Sequence, residues 1–115
     1  MMVLADIAVW TVVVLHICFF VLESVLWTHP VVCKVFDQSE REASLTKVLA
    51  QNQGAYNLGI AAMLAWFVYS EVTAGVCATL LFIVVMGIVG ALTANVRIVL
   101  IQSVPATIAL YLLAP

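Results

Sequence analysis

The sequence predicts an all-α, polytopic membrane protein with four transmembrane helices in an antiparallel bundle. Hydrophobic residues make up 66% of the 115 residues and charged residues only 9%, whereas soluble domains are about half apolar and about a quarter charged. Four apolar stretches approach or exceed the length needed to cross a bilayer of about 30 Å. All four Lys and Arg residues follow the first or the third stretch. We therefore interpret residues 1–115 as a single membrane domain.

The first predicted helix covers about residues 3–27 and carries two ionisable side chains inside its apolar run. His16 and Glu23 are seven residues apart, so they share one helical face, about 10 Å from each other along the axis. Ionisable side chains within a membrane segment usually mark a functional site. Both residues are therefore candidate site residues.

The second predicted helix covers residues 40–69 and follows the longest polar connection, residues 28–45. Ser39 and Glu42 fit a capping box, in which the serine accepts from the backbone N–H of the glutamate and the glutamate reaches back. We therefore expect this helix to begin near residue 40 and to continue without a break.

Three polar side chains of this helix lie where lipid tails are expected. They are Gln53, Tyr56 and Asn57, and their offsets of three and four residues predict that they point in one direction. Amides in hydrocarbon are costly unless they find partners, so they usually face a bundle interior or a wet cavity.

The third predicted helix covers about residues 74–92 and contains a pair of small residues. Gly87 and Ala91 are four residues apart, a spacing that lets two membrane helices approach closely. This row is a candidate contact within the chain or between copies in a homo-oligomer. Asn95 continues the row by one turn.

The fourth predicted helix covers about residues 96–113 and carries Gln102 near its start. Pro105 removes one intrahelical hydrogen bond, so we expect a local distortion there.

The charges predict the orientation in the plasma (inner) membrane. Lys34 and Arg41 lie in the first connection, Lys47 directly follows it, and Arg97 lies at the third connection, on the same side of a four-span chain. The positive-inside rule places that side, including residues 28–45, in the cytoplasm and both termini outside.

This topology brings polar groups from all four helices to the cytoplasmic half of the membrane. The set predicted to bind a ligand is Glu23, His16, Gln53, Tyr56, Asn57, Asn95 and Gln102. If the protein catalyses a reaction, Glu23, His16 and Tyr56 are the candidates for acid–base chemistry. The competing interpretation is that the amides hydrogen-bond between helices and only hold the bundle together. No residue spacing calls for a metal or a cofactor, and four basic residues make no nucleic-acid surface.

Several of these residues together resemble a known family. The chain is similar to small four-helix bacterial membrane proteins that are classified only as a domain of unknown function. The residues that carry this resemblance are Glu23-x-x-Leu26-Trp27, Phe36 and the run Lys47-Val48-Leu49-Ala50-Gln51-Asn52-Gln53-Gly54-Ala55-Tyr56-Asn57. The resemblance covers most of the chain and implies a multi-pass membrane protein of this length and helix number. It implies no reaction, substrate or cofactor.

Three functional hypotheses follow from the sequence. In the leading hypothesis, the protein binds a small lipophilic molecule in a polar intramembrane pocket that faces the cytoplasmic half of the membrane. One version of this hypothesis adds chemical conversion of the bound molecule. In the second, it is a small proton-coupled exporter that uses Glu23 as its exchange site. In the third, it is an accessory or structural membrane subunit and the amides only hold helices together.

Overall fold

The computed structural model describes residues 2–115, and these residues form helices and turns without a β-strand. The elements in order are α1 (Val3–Phe20), a first π-helical turn (Val21–Val25), α2 (Pro30–Val35), α3 (Glu40–Tyr69), α4 (Thr73–Thr93), a second π-helical turn (Val99–Ser103) and α5 (Val104–Leu113). The predicted all-α class is confirmed. The long helices lie close to the ranges expected from the sequence.

Two helices are long and apolar enough to cross a membrane, judged by length and composition. They are Val3–Val25, with a mean hydropathy of 2.3, and Thr73–Thr93, with a mean hydropathy of 2.6. Neither α1 nor α4 has a distinct polar face, which is typical of a helix surrounded by lipid or by protein. The last helix, Val99–Leu113, is apolar but shorter. The 30-residue α3 is more polar because amides and charged residues occupy its first half.

The start of α3 is held by the capping box that the sequence predicts. The backbone N–H of Glu42 donates to Ser39 Oγ at 3.1 Å, and the backbone N–H of Ser39 donates to the Glu42 carboxylate at 2.7 Å. These two bonds satisfy backbone donors that a helix start leaves open. The Ser39 backbone N–H, and then the Ser39 hydroxyl, hold the pKa of the exposed Glu42 carboxyl below its ordinary value.

The turns after α2 and α3 both use a residue in the left-handed conformation. Asp37 has φ 52° and Glu71 has φ 56°, at a position where glycine is more common. After α3, the N–H of Val72 donates to the carbonyl of Phe67 at 2.9 Å, and the corresponding bond after α2 measures 3.0 Å. Each bond satisfies a carbonyl at a helix end, so both helices stop at a defined residue.

The contacts divide the chain into two compact units. We call the chain up to Leu15 together with Ala61–Pro115 the aliphatic unit, and His16–Ile60 the polar unit. The aliphatic unit is packed around apolar side chains with 0–2% exposure, namely Val9, Leu64, Val76, Leu80, Ile83, Ala106 and Ala109. The buried residues of the polar unit include His16 and Asn57. The single-domain interpretation of residues 1–115 stays a prediction.

Candidate functional site

A carboxylate and a buried amide form a pair inside the polar unit. Glu23 lies in the first π-helical turn and Asn57 lies on α3, and Asn57 Nδ2 donates to the two Glu23 carboxylate oxygens at 3.3 Å and 3.2 Å. The Asn57 side chain is only 2% exposed, and its Oδ1 has no hydrogen-bond partner among residues 2–115. The pair therefore retains a buried acceptor that nothing in the described chain satisfies.

A serine and a glycine bring the two elements close enough for this pair to form. Ser24 Oγ donates to the carbonyl of Gln51 at 3.0 Å. A Cβ built on Gly54 would overlap Ser24 Oγ and lie 3.0 Å from the Ser24 backbone nitrogen, so only glycine fits at this approach. We call these three residues the first serine–glycine contact. It sets the separation across which Asn57 meets Glu23.

Trp27 fixes the same two elements farther along. Its Nε1 donates to Thr46 Oγ1 at 3.0 Å, and its ring lies 5.0 Å from that of Phe36 at an interplanar angle of 53°. A tryptophan with one bonded edge and one packed face is well suited to a boundary between polar and apolar surroundings. Its contacts with α3 set the register in which Glu23 and Asn57 pair.

His16 also belongs to the polar unit, two helical turns before Glu23. It is 1% exposed, and its ring meets the ring of Phe19 edge-on at 5.3 Å. Both oxygens of the Glu23 carboxylate accept from Asn57. The structure thus buries the predicted histidine beside an aromatic ring. Its participation in a ligand site stays a prediction.

The three polar residues of α3 do not share the face that the sequence analysis expects. Asn57 is buried on the same row as Gly54, while Gln53 is exposed and Tyr56 is 66% exposed. The physical reason is that adjacent residues of an α-helix are about 100° apart, so Tyr56 and Asn57 cannot face one partner. The common direction was wrong for these three residues. Ligand binding by Gln53 and Tyr56 stays a prediction.

Asn95 and Gln102 lie in the aliphatic unit, where they have local roles. Asn95 is exposed, and its Oδ1 accepts from the backbone N–H of Arg97 at 2.9 Å, which is a turn that starts the last helix. Gln102 is half-buried in the second π-helical turn. That turn ends two residues before Pro105, where the sequence predicts a distortion. The place of Asn95 and Gln102 in a common site stays a prediction.

The aliphatic unit contains a second serine–glycine contact. Ser103 Oγ donates to the carbonyl of Val84 at 2.8 Å, and a Cβ on Gly87 would overlap Ser103 Oγ and lie 3.0 Å from the Ser103 nitrogen. Gly87 therefore packs against Ser103 of the same chain. Homo-oligomerisation through Gly87 and Ala91 stays a prediction.

The sequence reasoning missed both serines. The available signal was that Ser24 and Ser103 each follow a Glu or Gln inside an apolar helix. A hydroxyl in such a place commonly bonds a backbone carbonyl, and a glycine on the facing helix is the natural complement.

Two shallow clefts lie in the aliphatic unit. One has a volume of about 260 Å³ and is formed by the ends of the chain, including Ala5 and Leu112. The other follows the outer face of α1 around Trp10. Within residues 2–115 there is no group of three His, Cys, Asp or Glu side chains that could hold a metal ion.

These features define a small all-α protein with two helices of membrane-spanning length and a half-buried carboxylate that a buried amide hydrogen-bonds. Residues 10–114 match the family described as "Protein of unknown function (DUF1304)". The chain belongs to this family, and the resemblance drawn from the sequence is confirmed. No curated protein and no solved structure matches the chain significantly.

Proposed function

We propose that the protein is a four-span integral membrane protein that binds a small lipophilic molecule at the Glu23–Asn57 pair. Val3–Val25 and Thr73–Thr93 supply two spans. The second half of α3 and the apolar Val99–Leu113 supply the other two. With this topology, the basic residues lie on the cytoplasmic side of the plasma membrane and both termini lie outside.

The exposed side chains support a lipid environment. Leu4 and Ile7 of α1 are 63% and 58% exposed, and Leu81 and Phe82 of α4 are 57% and 47% exposed. Large apolar patches on soluble monomers are rare, whereas lipid tails solvate such side chains well. The outer faces of both helices therefore fit the interior of a bilayer.

The observation that carries ligand binding is the Glu23–Asn57 pair beside the first serine–glycine contact. The second contact brings its helices equally close while a neutral amide, Gln102, precedes its serine. Close packing of this kind therefore does not need a carboxylate. Burying an acidic group is costly, so its presence next to a buried, unsatisfied acceptor favours a binding role.

The proposed roles follow from the contacts. Glu23 supplies charge, and Asn57 orients both Glu23 and the ligand. We propose that His16 of the same unit contributes to the site, and ligand binding by Gln53, Tyr56, Asn95 and Gln102 stays a prediction from the sequence. We propose binding rather than conversion as the primary activity, because Glu23 hydrogen-bonds a neutral amide and not a second acid or base.

Native mass spectrometry with lipidomics on the gently solubilised protein tests this proposal. The variants are Asn57→Leu and Glu23→Gln, and Asn52→Leu is the matched control because Asn52 is an exposed asparagine on the same helix. We expect a defined small molecule with the wild type and with Asn52→Leu, and its loss from the two folded site variants. If the wild type carries no bound species and Asn57→Leu changes only the stability or the mass of the oligomer, the pair only holds helices together. The proposal then fails.

The second candidate function is proton-coupled export through Glu23. It is favoured by the position of Glu23, a carboxylate in a membrane-length helix whose hydrogen-bond partner is uncharged. An exporter should show substrate efflux from proteoliposomes that depends on a pH gradient and disappears in Glu23→Gln. Binding without any such flux would exclude export. An accessory subunit, the third hypothesis, should instead lose assembly with a partner protein when Asn57 is replaced.

A further inference from the structure

The buried atom left without a partner at the Glu23–Asn57 pair is an acceptor. The Asn57 amide nitrogen already donates to the carboxylate, and the Ser24 hydroxyl already donates to the Gln51 carbonyl. What remains are the other lone pairs of the Glu23 carboxylate and the buried Asn57 Oδ1, which has no partner among residues 2–115. A group that satisfies them must therefore carry hydrogen-bond donors.

The charge of the site points the same way. The hydrogen-bond partner of the Glu23 carboxylate is an amide, and within residues 2–115 no Lys or Arg pairs with it. The four basic residues of the chain are all exposed. A carboxylate in an apolar segment needs a nearby positive charge or a proton. A cationic ligand supplies positive charge at Glu23, where no Lys or Arg of residues 2–115 pairs with the carboxylate.

The surroundings of the pair favour an apolar body on that ligand. Val25, next to Ser24 in the first π-helical turn, is 65% exposed, and Val21 and Leu26 are 36% and 39% exposed. These side chains lie within three residues of Glu23 in the sequence and present exposed aliphatic surface. A hydrocarbon chain or ring attached to the cationic group would contact them and the lipid.

We infer that the ligand is a lipophilic amine, bound as its ammonium ion with N–H groups donating to the Glu23 carboxylate and to Asn57 Oδ1. This inference rests on the proposed function and names the ligand class of the same site. An alkylammonium keeps its proton at neutral pH, as lysine does. Ketones, esters and carboxylates offer only acceptors, so they would leave Asn57 Oδ1 unsatisfied and would not neutralise Glu23. A quaternary ammonium brings charge but has no N–H group.

Four probes with the same alkyl chain separate charge from hydrogen bonding. They are decylamine, decyltrimethylammonium, decanol and decanoate, each at pH 7 and below its micellar concentration. Equilibrium binding is measured with the full-length protein in nanodiscs, and empty nanodiscs correct for partition into the bilayer. The protein variants are Glu23→Gln, Asn57→Leu and the control Asn52→Leu.

We expect saturable binding of decylamine to the wild type and to Asn52→Leu. Decyltrimethylammonium should bind about tenfold more weakly than decylamine, because it cannot form charge-assisted N–H bonds. Decanol and decanoate should show only partition into the bilayer. Glu23→Gln and Asn57→Leu should each abolish saturable decylamine binding. If Asn57→Leu does not fold, the nearly isosteric Glu23→Gln still decides the outcome.

Two further results distinguish failure of the inference from failure of the proposed function. Equal binding of decylamine and decyltrimethylammonium would remove the role of N–H donors. Saturable binding of decanol or decanoate that requires Glu23, or a co-purified ligand without an amine, would overturn the amine while leaving a ligand site. No saturable probe and no co-purified molecule would overturn both.

Discussion

The polar unit and the aliphatic unit each contain a serine that lies over a glycine of a neighbouring helix. In the polar unit, Ser24 donates to a carbonyl three residues before Gly54. In the aliphatic unit, Ser103 donates to a carbonyl three residues before Gly87. Both serines lie in a π-helical turn. Close helix packing in the two regions therefore depends on the same kind of serine–glycine contact.

The two regions differ in the residues beside that contact. The residue before the serine is Glu23 in one unit and Gln102 in the other. The residue three positions after the glycine is Asn57 in one unit, and in the other it is Gly90, where an added Cβ would meet Ile98 at 3.0 Å. The shared atoms thus account for packing. The acid and the buried amide are what the polar unit adds, and they are where we place function.

The largest expected effect tests the shared part of the comparison. Gly54→Ala and Gly87→Ala should each lower the free energy of unfolding by about 1–3 kcal/mol, because each new Cβ overlaps a serine in a packed contact. The matched control is Gly59→Ala on α3, since a Cβ there meets nothing within 4 Å. It should raise stability by about 0.5–1 kcal/mol through helix propensity. Reversible unfolding in mixed micelles measures all three, and a neutral Gly54→Ala would contradict the close contact.

The second-largest expected effect tests the residues in which the two units differ. Asn57→Leu should cost about 1–2 kcal/mol, because it leaves the Glu23 carboxylate half-buried without its donor. Gln102→Leu should be close to neutral, as no hydrogen bond of that side chain is present within residues 2–115. In a Glu23→Leu background, the cost of Asn57→Leu should shrink. A double-mutant cycle gives this coupling, and a coupling of zero would mean that the pair is not energetically linked.

A smaller difference should separate the two serines. Ser24→Ala and Ser103→Ala each remove one side-chain-to-backbone hydrogen bond, worth about 0.5–1.5 kcal/mol. Ser103 is buried and its bond is 2.8 Å, while Ser24 is half-buried and its bond is 3.0 Å. We therefore expect the larger loss of thermal stability at Ser103. A larger loss at Ser24 would indicate that its hydroxyl also serves the Glu23 pair.

The smallest effect concerns the helix starts of the two units. The pKa of Glu42 is lowered from 4.5 by its bonds to Ser39, so its capping contribution is complete above that value and is lost as the pH falls through the lowered pKa. By contrast, α4 begins after Val72 without a side-chain cap. Hydrogen exchange of first-turn amides, corrected for the intrinsic rate, should therefore increase on acidification in α3 but not in α4. Glu42→Gln should remove this pH dependence.

Much of the fold could be predicted because its signals are local. Ser39 and Glu42 identify the start of α3 by chemistry confined to four residues, and the structure contains both of their hydrogen bonds. Glu23 and Asn57 stand out because each is polar within an apolar run. The sequence places both in one polar set, but it does not predict that they hydrogen-bond each other.

The remaining features depend on contacts that periodicity does not encode. Helices α1 and α4 have no distinct polar face, so no polar stripe indicates which face meets which neighbour. The contact between Gly54 and Ser24 decides that Asn57, and not Tyr56, faces the neighbouring element. Neither Gly54 nor Ser24 alone reveals that contact. The two π-helical turns have no simple sequence signature, although Pro105 points to a distortion near the second.

The first π-helical turn has a consequence for changes in chain length. A π-helical turn contains one residue more than an α-turn of the same hydrogen-bonded path. Deleting Leu22 would let this stretch return to α-helix without breaking the helix. Because the deleted residue is the extra one, the helix before it and the helix after it would keep about their present orientation. A deletion inside the regular α1 would instead rotate these two parts by about 100° relative to each other. A single-residue deletion in the π-helical turn should therefore be tolerated better than a deletion within α1.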